Sequence, residues 1–333
     1  MNPIITIRLR DVRCVSFFVG RKENIMQEYR LNETIILGID HGYGNIKTRH
    51  TVTKTDVKKQ DGKPVFSRNY VEYNGAFYIV GEGHKSFIPD KQDDMDYYIL
   101  TLAAIAKELR QRELTSAKVF LAVGLPLKWV QSQRESFRDY LMRDRHIRFK
   151  FADVEYDVDI AGCEVFPQCY SAVAENLREY TGINLLVDVG NGTMNVLYLN
   201  NGKVAESRAW TEKFGVSQCA QRIRNKIMDK TGEMVPDDVI DDYLKTGSTD
   251  IAEPYASLMK AAATEYVNEI FQRIRQYEFN DKMMRLYFMG GGAKIVRAVG
   301  TYDEDRTFFD HDICSTAKGY EYFCYMKLRH NNK

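Results

Sequence analysis

The 333-residue chain has little that would announce a disulfide scaffold, a metal centre or a membrane span. Its six cysteines (Cys14, Cys163, Cys169, Cys219, Cys314 and Cys324) form no Cys-x-x-Cys pair, and its six histidines show no ligand spacing. That pattern argues against a zinc ribbon or a redox dithiol and predicts free thiols in a reducing cytoplasm. No apolar run approaches the roughly 20 residues that cross a bilayer. Charge of one sign is missing as well: 47 basic against 46 acidic side chains leave a formal net charge of +1, so no global field draws the chain onto nucleic acid or an anionic membrane. No Gly-x-x-x-x-Gly-Lys-[Ser/Thr] occurs, which disfavours a P-loop enzyme. A composition of 44% hydrophobic and 28% charged residues excludes a disordered chain and leaves room for two domains of ordinary size.

What is present is a strand, turn and strand pattern written twice. Residues 185–199 read as an apolar strand ending in Asp188, a turn through Gly190, Asn191, Gly192 and Thr193, and a second apolar strand. The glycines let the backbone close tightly on a ligand, and the N–H groups of such a turn line an anion. Asp188 would repel phosphate directly but is suited to hold a hydrated Mg²⁺ beside it. A lone Asp-x-Gly-x-Gly hairpin is more often a plain turn, and a second copy changes that weighting. It lies about 150 residues upstream, where residues 35–39 run into Asp40-His41-Gly42-Tyr43-Gly44-Asn45-Ile46-Lys47. Lys47 closes this turn as a point charge for phosphate. Two such hairpins predict two related half-domains facing each other. A third element, the apolar strand 285–289 before Gly290, Gly291 and Gly292, offers bare backbone as a shelf for a flat ring.

Phosphate hairpin, phosphate hairpin, glycine shelf is an order that resembles the superfamily of actin, the sugar kinases and the heat-shock chaperone ATPases, over roughly residues 33–325. Within it the chain is similar to the plasmid-segregation actins of the ParM/StbA type. Asp40-x-Gly42-x-x-Asn45-Ile46-Lys47 resembles their first phosphate hairpin, and Gly124-Leu125-Pro126-Leu127 with a charged helix behind it resembles their strand and helix before the interdomain crossing. Pro167-Gln168 with Ala172 opens a helix leading to Asp188, where this family and actin place the residue that orients the attacking water. The best-known ParM pattern carries Glu there and eukaryotic actin carries Gln, so the departure weakens a general-base role more than hydrolysis itself. A hydrogen bond at a helix start is the alternative role for Gln168.

The resemblance implies an α/β, duplicated actin-like ATPase fold of two lobes, each a mixed sheet flanked by helices with an inserted subdomain. The expected divisions are an N-terminal extension 1–30, lobe I over 31–165 with its insertion at about 48–96, lobe II over 166–314 with its insertion at about 213–283, and a C-terminal helix 315–333 crossing back to lobe I. It also implies nucleotide binding by Asp40, Gly42, Tyr43, Gly44, Asn45, Lys47, Gly190, Asn191, Gly192, Thr193, Gly290, Gly291 and Gly292, catalysis by Gln168 and Asp188, and Mg²⁺ held through water by Asp40 and Asp188. ATP is the expected nucleotide and GTP the alternative. The implied function is a cytoplasmic filament-forming ATPase that segregates plasmid DNA by polymerising between adaptor-bound copies. Its partners would be further copies of itself and a DNA-binding adaptor on a centromere-like site, without direct nucleic-acid or membrane contact. The alternatives are an MreB-type cytoskeletal actin at the membrane and a small-molecule kinase. A heat-shock chaperone would need a peptide-binding domain after the core.

The rest of the chain fills in around these motifs. Residues 48–96 are polar and turn-rich, with Asp61-Gly62 and Asn74-Gly75 between strand-like runs, which predicts a β-rich insertion. Tyr98, Leu102, Ile105 and Leu109 stand at helical spacing, and 118–123 reads as a buried strand. The basic run 134–150 is expected to be a solvated helix face rather than a DNA site. Residues 153–165 alternate as a strand and 171–180 read as a helix. From 215 to about 281 the periodicity is helical, through Ile223 and Ile227 and then Tyr266, Ile270, Phe271 and Ile274. Lys213, Arg222 and Lys226 are candidates for a base or ribose, with a solvated helix surface as the alternative. Ala317 and Gly319 allow the final helix, 315 to about 327, to pack closely. Residues 1–25 contain the short apolar run 14–19 among arginines, without the pattern of a secretory signal. They are expected to be dispensable, with a membrane-touching tail as the alternative.

Overall fold

A computed structural model describes residues 28–83 and 95–331, so the readings on residues 1–25 lie outside the described residues. The first lobe is built in chain order from β1 (Arg30–Leu31), β2 (Thr34–His41), β3 (Asn45–Lys47), β4 (Val52–Lys54), β5 (Val57–Gln60), β6 (Tyr70–Tyr73), β7 (Ala76–Val80), α1 (Asp96–Gln111), β8 (Ser116–Leu125), α2 (Val130–Leu141), β9 (His146–Phe151) and β10 (Val154–Pro167). A 3₁₀ segment, Ser171–Glu179, leads to β11 (Ile183–Val189), β12 (Met194–Asn200), β13 (Lys203–Glu212), α3 (Val216–Thr231), α4 (Asp237–Thr246), α5 (Tyr255–Gln276), β14 (Arg285–Met289), α6 (Ala293–Val299), β15 (Thr307–Phe309) and α7 (Ser315–Asn331).

Among the described residues the first sheet runs β4-β3-β2-β8-β10-β9-β6-β7-β5, with β1 on β2, and the second runs β13-β12-β11-β14-β15. Both are mixed and both are flanked by helices. In the first, β2, β8 and β10 are parallel and hairpins extend the sheet to either side. Helices cover both faces of such a parallel centre, so β2 is buried at every position after Thr34 and reads as a continuous apolar run. The second sheet repeats the scheme with β11 parallel to β14 and antiparallel to β12. Each sheet buries its own apolar cluster against its helices.

Two segments differ from the sequence reading. The basic run 134–150 is not one helix: α2 ends at Leu141, and β9 buries Ile147, Phe149 and Phe151 while His146 and Arg148 stay exposed. Alternation with period 2 overrides the helical reading because this strand lies between β10 and β6, with one face on the core. Residues 171–179 form a 3₁₀ rather than an α-helix, interrupted where Asn176 leaves helical geometry at φ −121°. Asn competes for backbone hydrogen bonds and suits such a break.

Helix α7 seats its backbone directly on β2 and on the 3₁₀ segment. A Cβ on Gly38 of β2 would lie 2.0 Å from the Ala317 carbonyl oxygen, and one on Gly319 would lie 1.7 Å from that of Ser171. Beside these contacts Glu321 is buried, accepting from the Gly38 N–H at 3.0 Å and from Arg49 Nε at 2.5 Å. Burial raises its carboxyl to about 7 against the pull of Arg49 and the Gly38 amide. A folded pKa above the unfolded value means the folded chain binds this proton more tightly. The contribution is therefore fully present below about pH 4.5 and is lost as pH rises to about 7. Thermal melts of wild type and Glu321→Gln should show wild type losing on the order of 2 kcal/mol relative to the variant between pH 5 and 7.5. A wild type that gains over that interval would mean that Arg49, not burial, dominates.

Candidate active site

The two hairpins meet at the cleft between the sheets. In the first, Asp40 and Lys47 are directly opposed on β2 and β3, and the Lys47 ammonium donates to Asp40 Oδ2 at 3.0 Å. The turn is tight enough that a Cβ on Gly42 would fall 2.6 Å from the Asn45 carbonyl oxygen. Thr55 braces it from outside, its hydroxyl donating to the Gly42 carbonyl at 2.7 Å. In the second, Asp188 opposes Asn195, and the turn closes by Gly190 N–H donating to the Thr193 carbonyl at 2.8 Å. The carbonyls of Gly190 and Asn191 accept from the N–H groups of Val216 and Ser217, so this hairpin is fastened to the first turn of α3.

Gln168 follows β10 and reaches across to the first hairpin, its Nε2 donating to Asp40 Oδ1 at 2.9 Å. The residue at the head of the 3₁₀ segment is Tyr170, which makes no side-chain cap. Asp188 is 8% exposed, and its carboxyl is raised to about 6 by burial, with Asp40 adding repulsion and Lys47 and Asn195 opposing. Lys47 moves up despite its own burial, because both Asp40 and Asp188 favour its charge. An ammonium thus stands between two carboxylates on opposite lobes. The glycine shelf follows Met289, which pairs with Asp188 across β14 and β11. Gly290 has φ +79°, and a Cβ there would lie 2.4 Å from Asp188 Oδ1, so both backbone conformation and space require glycine.

Asp40, Gly42, Tyr43, Gly44, Asn45, Lys47, Gln168, Asp188, Gly190, Asn191, Thr193 and Gly291 line one cavity. Gly192, Gly290 and Gly292 belong to the same turns but are not among its lining residues. The hairpin tips touch: a Cβ on Gly44 would fall 2.8 Å from Asn191 Cβ. Farther out, Lys54 of β4 pairs with Asp241 of α4 at 3.2 Å and spans the mouth from lobe to lobe. Arg222 and Lys226 turn instead to Glu269 and Glu265 on α5. Sequence reasoning missed Asn195, Lys54, Asp241, Lys245 and an apolar wall of Val216, Ala220 and Leu244. The i, i+4 spacing of Val216 and Ala220 at the start of α3 was the available signal for part of that wall.

Among the described residues no group of three or more His, Cys, Asp or Glu side chains is placed to hold a metal ion. The donor set fits Mg²⁺ nonetheless, since that ion keeps several waters and binds through one or two carboxylates together with substrate phosphates. Asp40 and Asp188 repel each other across the cavity, and a shared cation relieves that repulsion.

Two facing sheets whose hairpins close on one cavity define a two-lobed actin-like ATPase fold. Residues 38–170 match the family of actin-like proteins, N-terminal domain, and residues 186–299 match the archaeal actin homologue MreB-like, C-terminal family. The chain belongs to the actin-like proteins. Among solved structures it is similar to apo psk41 ParM (14% identity, 90% of this chain and 100% of that chain covered, TM-score 0.66). It is similar too to the archaeal actin homologue Ta0583 in complex with ADP (16%, 88% and 100%, 0.69) and to the Alp12 filament structure (18%, 89% and 99%, 0.62). At these identities the likeness is one of fold. No curated protein matches the sequence.

Proposed function

We propose that the chain binds Mg²⁺–ATP between its lobes, hydrolyses it, and uses the cycle to build and dismantle filaments of itself. The observation that carries this reading is the meeting of Asp40, Lys47, Gln168 and Asp188 at one cavity between two glycine-turned hairpins. The hairpin N–H groups and Lys47 would hold the phosphates, and Gly291, in the turn that Gly290 and Gly292 shape, would receive the base with the wall of Val216, Ala220 and Leu244. Mg²⁺, held through water by Asp40 and Asp188, would neutralise charge on the phosphate oxygens. Gln168 would orient a water whose oxygen bonds to the γ-phosphorus as the bond to the β–γ bridging oxygen breaks, giving ADP and inorganic phosphate. With a carboxamide in place of a carboxylate, positioning rather than proton abstraction is its role.

In this reading residues 31–165 form lobe I, 166–314 lobe II, and 315–333 the helix that returns to lobe I. Assembly is supported by the fold shared with Alp12, described as a filament structure, and with ParM. Among the described residues no helix is long and apolar enough to cross a membrane, and the net charge of +1 favours reaching DNA through an adaptor. The biological role would then be segregation of plasmid DNA in the cytoplasm. Light scattering and phosphate release recorded together after adding ATP, and separately GTP, test this. Scattering should rise and then decay as phosphate accumulates. Transfer of phosphate to a small metabolite without any rise in scattering would replace the filament reading with a kinase.

A further inference from the structure

Outside the hairpins an ion pair joins the two lobes across the mouth of the cavity. Lys54 of β4 stands directly opposite Asn45 of the first hairpin. The next residue, Thr55, ties this strand end to the turn, its N–H donating to the Gly44 carbonyl at 3.0 Å and its hydroxyl to the Gly42 carbonyl. Lys54 is therefore fixed to the phosphate hairpin of lobe I. Asp241 is fixed to lobe II, since α4 buries Ile240, Tyr243 and Leu244 in that lobe's apolar cluster. The Lys54 ammonium and the Asp241 carboxylate are 3.2 Å apart, with the side chains 32% and 25% exposed. Asp238 comes within 3.9 Å of the same ammonium, but its side chain is 94% exposed, so water screens it and Asp241 is the principal partner.

We propose that Lys54 and Asp241 form a latch that closes the mouth of the cavity over a bound nucleoside phosphate and sets how fast that ligand leaves. Both residues line the cavity, as do Thr55 behind the one and Leu244 and Lys245 beside the other. Because each end is anchored to the backbone of its own lobe, the ion pair holds only while the lobes are close, the arrangement in which the hairpin tips at Gly44 and Asn191 touch. A ligand reaching from the hairpins to Leu244 lies behind the pair, so parting the lobes to release it breaks the pair as well. A partly exposed ion pair contributes only a small factor, which suits a latch that slows release without trapping the ligand.

This inference rests on the reading that the cavity holds a nucleotide. Stopped-flow release of a fluorescent ADP analogue, mant-ADP, into excess unlabelled ADP with Mg²⁺ tests it on wild type, Lys54→Ala, Asp241→Ala and the double variant. Each single variant should release the analogue about 2- to 5-fold faster, the range of one partly exposed ion pair. The double variant should be no faster than the faster single variant. The two substitutions change the charge of the mouth in opposite senses. A field acting on the anionic ligand would move the two rates in opposite directions, whereas loss of a latch raises both. The difference between wild type and the variants should also shrink at about 0.5 M salt, where screening acts over about 4 Å. Single variants that release at the wild-type rate or shift in opposite directions would overturn the latch while leaving the nucleotide site in place. So would effects that multiply in the double variant, or a difference that salt does not change. A wild type that takes up no mant-ADP removes the underlying reading and the latch with it.

Discussion

Asp188→Ala should reduce phosphate release by about 10³-fold or more while the protein melts at the same temperature as wild type or above it. The carboxylate is buried, repelled by Asp40, and raised to about 6, so at pH 7 the fold carries its charge at a cost on the order of 3 kcal/mol. Removing it relieves that cost and leaves Asn195 still accepting from the Leu127 N–H and the Thr211 hydroxyl. The same substitution removes one of the two carboxylates that would hold a hydrated Mg²⁺, and losses of preorganised charge at a phosphoryl-transfer site are among the largest single effects in catalysis. Phosphate release and differential scanning fluorimetry on both proteins decide it. A variant that hydrolyses normally would show that Asp188 has no part in the chemistry.

Gln168→Ala should bind ATP as wild type does, turn it over about 10²- to 10³-fold more slowly, and form polymers that persist. Loss of one positioned hydrogen bonder at a reacting centre is worth about 2–4 kcal/mol. Both hairpins keep their own backbone hydrogen bonds without Gln168, and Asp40 keeps Lys47, so the phosphate site survives. If the triphosphate state favours the filament contact and hydrolysis relaxes it, slower hydrolysis lengthens polymer life. Sedimentation at intervals after ATP addition measures this directly. Polymers of Gln168→Ala that dissolve as fast as those of wild type would uncouple hydrolysis from disassembly.

The two Asp-tipped hairpins were legible in the sequence because each is a local object: apolar residues in strand register, an aspartate at the strand end, and glycines where the chain turns. The glycine shelf was legible for the same reason, and the Gly290 φ of +79° gives the physical need for it. Periodicity was less informative where packing chose between two regular structures. The run 134–150 divides into α2 and β9 because the neighbours of β9, not its own composition, select an extended chain. Lys54 and Asp241 were not legible at all, since a lysine on a short strand and an acid on an amphipathic helix carry no mark of pairing across a cleft.

By itself, then, the sequence determined the class of fold, the two strand ends that carry Asp40 and Asp188, and the turns beside them, all of which depend on interactions between residues a few positions apart. Only the tertiary structure decided that Gly44 meets Asn191, that Gln168 rests on Asp40, that Lys47 stands between two carboxylates, and that Tyr320 of the last helix fills the space beside Gly124. These contacts join segments far apart in the chain. Their energies depend on burial and on the direction of approach, and neither quantity exists until the two sheets and α7 have packed.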